Sequence, residues 1–287
     1  MLTAVLEKFS LSDEQISAFK GLLELTNCAE KLPENPESNL VTLENLMKVI
    51  RTSWMRKEGS ERWELVDSDK ILSDRERFLA LFDKLGFLYE KSPKFKKYDY
   101  VLFLGSLQKR VENRLDYLTS LWNKGIRFNQ IILLGGERPL IKDQESLTST
   151  LQEGATELDM MQAVFKSRRL KWPLELAEIE LISVNTPKMA GKRPNTGDTI
   201  NAWLAKRPHS GSVLAISNQP YVNYQNNVIR SLLPSDFTLD TTGSSANQEE
   251  KISVLLDAVA GFISADYSRV KSLLQEPNLQ SVSRMQP

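Results

Sequence analysis

Five short stretches of this 287-residue chain combine glycines, cations, carboxylates and hydroxyls in patterns suited to a small anionic ligand. The first is Gly105-Ser106, followed by Lys109, Arg110 and, one turn further, Arg114. Gly105 permits close backbone approach, Ser106 can cap a helix, and the first helix amides then face an anion. Cations at a helix N-terminus oppose the helix dipole, and a bound phosphate or carboxylate would relieve that conflict. A plain turn with solvated Lys and Arg is the competing reading. The spacing is neither that of a P-loop nor a GxGxxG.

Gly135-Gly136-Glu137-Arg138 is the second stretch. Its paired glycines serve a tight turn or bring amides to a ligand. Arg138 can clamp an anion through two bonds, and Glu137 can accept from a sugar hydroxyl. The third, Thr156-Glu157-Leu158-Asp159, has the form of a capping box, and it also places Glu157 at a helix start as a candidate base. The fourth runs from Lys188 to Thr199 and contains Lys192, Arg193, Asn195, Thr196 and Asp198. A cationic, Gly/Pro-punctuated loop leading into a capped helix is suited to cover a phosphorylated ligand, with Asp198 a second candidate for acid–base work. The fifth is Ser217-Asn218-Gln219-Pro220-Tyr221, followed by Tyr224, Asn227 and Arg230. Its tyrosines can stack on a base or sugar, or simply pack.

These stretches need a frame, and the hydrophobic pattern supplies one. Runs of strand formers at 99–106, 129–136, 177–184, 211–218 and 237–243 alternate with helical patterns at 107–125, 156–170, 196–206, 221–233 and 249–265. That alternation predicts right-handed crossovers and a Rossmann-like three-layer α/β/α fold on a parallel sheet of about five strands. For a strand order 3-2-1-4-5, the reversal lies between the strands ending at Gly105 and Ser217, where such sheets bind ligands. Residues 1–97 read as a helical region, a cap or lid, with Ser12-Asp13 and Ser73 as helix starts. Residues 98–270 are expected to form the α/β domain, and 271–287 a flexible tail.

Charge and composition narrow the function. Lys and Arg total 37 and so do Asp and Glu, which argues against a nucleic-acid partner. No run approaches the length of a membrane span, and no basic-then-apolar leader opens the chain. Together with a single cysteine, Cys28, these features lead to the expectation of a cytoplasmic protein, export without such a leader staying open. The one histidine, His209, precedes a strand at the end away from the site, so Ser-His-Asp, Cys-His and His-rich metal chemistry lack their imidazole. No metal site is expected.

The order of VLFLGS, Arg114, IILLGG, the Thr156-Glu157 helix start, Asn195-Thr196-Gly197-Asp198 and the strand ending at Ser217 resembles the family of unknown-function domains that includes SanA, ElyC and YdcF. The resemblance covers residues 98–265. It implies a Rossmann-like domain with a polar cleft for an anionic or nucleotide-like ligand, S-adenosylmethionine having been associated with one branch. It brings no settled reaction. The chain departs from that pattern in carrying Tyr221 and Tyr224 where members often have His and Arg, and Thr199 in place of an Asn. Two functions stay open: a transferase or hydrolase acting on a phosphorylated or nucleotide-linked metabolite, or a non-catalytic module whose helical N-terminal region meets a protein partner.

Overall fold

The computed structural model describes residues 1–141, 144–145, 153–188 and 193–275, and the chain divides into two compact units. The first opens with helices α1 (Leu2–Lys8), α2 (Asp13–Leu25), α3 (Asn39–Ser53), α4 (Asp69–Ser73) and α5 (Arg75–Lys84). Ser12 caps α2 in a full capping box with Gln15, as its spacing predicts. Ser73 is not the cap of α5. It ends α4, and Asp74 stands between the two helices, because Ser68 starts α4 one turn earlier. Apolar stripes on these helices bury Phe19, Leu22, Leu43, Leu46, Ile50, Phe78 and Phe82. Cys28 is buried and carries no disulfide.

The second unit, 89–247, is the α/β domain. It runs β1 (Lys97–Leu104), α6 (Gln108–Asn123), β2 (Arg127–Gly136), α7 (Glu157–Arg169), α8 (Leu174–Ala177), β3 (Glu180–Thr186), α9 (Thr196–Leu204), β4 (Ser212–Asn218), α10 (Val222–Arg230) and β5 (Thr238–Ser244). All neighbouring strands pair in parallel, in the order β3-β2-β1-β4-β5. The sheet order thus matches the one expected from the sequence. β3 starts three residues later than its apolar run, since Pro173 leads into α8 and Leu176 is buried from that helical turn.

Side chains alternate strictly across the sheet. Val101, Phe103, Ile131, Leu133, Leu214 and Ile216 face the layer containing α6 and α7. Leu102, Leu104, Ile132, Leu134, Val213 and Ala215 face the layer containing α9 and α10. The opposite placement of α6 and α10 puts the topological reversal, where such sheets bind ligands, between the ends of β1 and β4.

The last helix, α11 (Ile252–Gln275), belongs with the first unit, which comprises 1–88 and 248–287. The unit boundaries therefore fall at 88/89 and 247/248, compared with the 97/98 and 270/271 expected from periodicity. Asp257 on α11 explains the attachment: it is 1% exposed and receives Arg56 Nη1 and Arg62 Nε at 2.9 Å each. Among the described residues, no helix is long and apolar enough to cross a membrane.

Candidate functional site

Beyond Leu104 and Leu134 the strands end in glycine, and α7 closes onto them. A β-carbon on Gly135 would lie 2.8 Å from the Leu158 side chain, and one on Gly105 would lie 2.8 Å from the Glu157 carboxyl group. Thr156 and Asp159 form the expected capping box, which fixes the start of α7 and so sets Glu157 over Gly105. There Glu157 Oε2 accepts from the Gly136 amide at 3.2 Å, and Oε1 stands 3.5 Å from Arg138 Nη2. Burial pushes the Glu157 carboxyl above the usual carboxylate range and outweighs the attraction of Arg138.

That attraction is weakened because Arg138 is committed elsewhere. Its two Nη atoms donate to Glu145 at 2.7 and 2.8 Å, and Glu145 is fully buried. Glu145 also accepts from the Gln108 amide at 3.2 Å and from the Ile141 amide at 2.8 Å. The chain's own carboxylate thus sits at the α6 N-terminus, where the sequence suggested a ligand anion. Ser106 does not cap this helix. Leu107 holds the N-cap position without a side-chain bond, and the Ser106 carbonyl accepts from Arg138. Nothing in the sequence distinguishes Glu145 from its neighbours, and its role depends on a contact with Arg138 that only folding creates.

Arg114 crosses the reversal itself. It is 2% exposed, donates through Nη1 to the carbonyls of Leu104 and Gly105 at 2.8 and 2.9 Å, and through Nε to Asn218 Oδ1 at 2.9 Å. Beside it, the Arg110 guanidinium lies 4.9 Å from the centre of the buried Tyr221 ring. Both contacts tie the residues after β1 to those after β4. Neither a protein-family model nor a curated protein matches the chain.

The remaining expected residues have other settings. Glu137 accepts from Asn185 Nδ2 at 2.9 Å, toward β3. Gly136 lies beneath Pro194, whose ring is 3.0 Å from the position of an added β-carbon. Asn195 caps α9, Thr196 begins it, and Asp198 returns a bond to the Asn195 amide at 2.8 Å, which ties the Asp198 carboxylate into the cap. Lys109 and Arg193 are exposed, and Lys192 lies outside the described residues. Gln219 Nε2 donates to the Tyr89 carbonyl at 3.0 Å, and Ser217 is fully buried. His209 is exposed, ahead of β4. Among the described residues, no group of three His, Cys, Asp or Glu could hold a metal ion.

A pH dependence follows from Glu157. Because its folded-state pKa is raised, the folded protein holds a proton that the unfolded chain releases as pH climbs past about 4.3. Stability contributed at this site therefore falls as pH rises from there toward the folded-state pKa. Glu157→Gln is expected to raise the midpoint of thermal unfolding at pH 7 and leave it nearly unchanged at pH 4. Equal effects at both pH values would contradict a raised pKa.

Proposed function

We propose that the 89–247 unit, like the SanA, ElyC and YdcF domains it resembles, binds an anionic or nucleotide-like small molecule at the ends of β1 and β4. The observation that carries this reading is Arg114. A guanidinium buried at a sheet reversal costs several kcal/mol of desolvation, roughly, and a purely apolar core would fill the same space more favourably. Its bonds to the Gly105 carbonyl and Asn218 instead keep polar groups at the reversal, with Glu157 beside Gly105 and Arg110 stacked on Tyr221. Within this reading Arg110 and Tyr221 contact the ligand, and Glu157, whose carboxyl burial holds above the usual carboxylate range, is the group able to give or take a proton. A phosphorylated or nucleotide-linked substrate with a transferase or hydrolase reaction suits that set.

A second reading, a binding or regulatory module without turnover, has its own support. Asp198 is taken up by the α9 cap, and the lone His209 is exposed ahead of β4. One experiment separates the two. Calorimetry against nucleoside di- and triphosphates, S-adenosylmethionine and sugar phosphates is expected to find a ligand, and the same mixtures are followed for product. If Glu157→Gln keeps the affinity and loses product, the protein is an enzyme. Binding with no product from the wild type supports the module. No binder in the panel would overturn the proposal.

A further inference from the structure

The β1–α6 side of the crevice already contains an anion, Glu145, so a ligand's phosphate needs another place. On the β4 side, α10 opens at Tyr221, a residue that does not cap through its side chain. Three groups converge on this first turn. Arg110 lies over the Tyr221 ring. Lys91 Nζ donates to Asn223 Oδ1 at 3.2 Å, and the Lys91 backbone pairs with Gly243 at the end of β5. The third is Ser217, which shares the face of Val213 and Ala215 by alternation along β4 and is in register with Gly243. Val222, the first residue of α10, packs against Gly243. The Ser217 hydroxyl therefore faces the start of α10, fully buried, and finds no hydrogen-bond partner among the described residues.

An unsatisfied buried hydroxyl is destabilising, and here it lies beneath a helix N-terminus flanked by two cations. We propose that the first turn of α10, with Lys91, Arg110 and Ser217 around it, is the subsite that holds the phosphate of the ligand. This rests on the reading of the crevice given above and places the anion within it. Burial and the neighbouring Lys94 charge also push the Lys91 ammonium below the usual lysine range, against the pull of Asp240, so an added anion has charge to stabilise. Lys91 lies ahead of β1, in a stretch with no motif.

Titration calorimetry of the full chain with inorganic pyrophosphate, and with the nucleotides of the panel, tests the subsite. Lys91→Met is expected to weaken both by about 10-fold or more, the worth of one charge-assisted bond, whereas Lys91→Arg stays close to wild type. Ser217→Ala is expected to weaken binding while leaving the unfolding midpoint of the ligand-free protein unchanged or higher, which a packing role would not produce. Lys206→Ala, at the far end of α9, serves as the control. On the wild type, pyrophosphate is expected to protect Lys91 from trace acetylation, a readout independent of any variant's folding. If a nucleotide binds wild type, Lys91→Met and Ser217→Ala alike, the subsite is overturned and the crevice reading stands. If neither pyrophosphate nor any nucleotide binds the wild type while S-adenosylmethionine or a sugar phosphate does, the subsite falls and the crevice reading stands; if nothing in the panel binds, both fall.

Discussion

Arg114→Met is expected to lower the stability of the α/β unit by about 3 kcal/mol and to abolish ligand binding. The methionine keeps the aliphatic stem and removes three charge-assisted bonds, two to the carbonyls of Leu104 and Gly105 and one to Asn218. Each such bond is worth roughly 1.5–3 kcal/mol, and relief of the buried charge offsets part of the sum. A shift of the urea midpoint at unchanged slope would report the stability term. The binding term follows from geometry: without Arg114, the side-chain bonds that join the Leu104 and Gly105 carbonyls to Asn218 across the reversal are lost. A variant of wild-type stability would show that the guanidinium gains as much from water as from these partners.

The second large effect is expected at Gly243. An added β-carbon would lie 2.6 Å from Val222 and 2.9 Å from both the Asn218 backbone nitrogen and α-carbon. Because two of those atoms are backbone, relief requires moving β4 or lifting α10. Gly243→Ala is therefore expected to cost about 2–3 kcal/mol and to displace the first turn of α10. Gly105→Ala makes a contact nearly as short, at 2.8 Å, but with the far end of the Glu157 side chain. It is expected to cost far less stability while dislodging that carboxyl group. Chemical denaturation of the two variants side by side checks the contrast, and equal losses would contradict it.

Both variants show how local and non-local information divide in this protein. The strand runs ending at Gly105 and Gly136, the capping boxes at Thr156 and Asn195, and the alternation of periods are local signals, and each reappears in the structure. The order β3-β2-β1-β4-β5 agrees with the one assumed from the sequence, although right-handed crossovers also allow other doubly wound orders. Ser73 and Ser106 satisfied the local rule for a cap and yet do not cap, since a helix that starts earlier at Ser68, or a residue later at Leu107, changes which amides need a partner.

The sequence by itself thus determined the parallel sheet and its alternation with helices, because backbone geometry and hydrophobic period act over a few residues. Which charged groups pair with one another was decided only by tertiary structure. Glu145 takes Arg138 and the α6 N-terminus, Asp198 is taken up by its own cap, and Lys91 arrives at α10 from 132 positions earlier in the chain. Charge pairing depends on distances of a few ångströms between groups far apart in sequence, and no local pattern encodes them. α11 joins the helical unit for the same reason: its apolar stripe would suit either unit, and Asp257 meets its arginines only once the chain has folded.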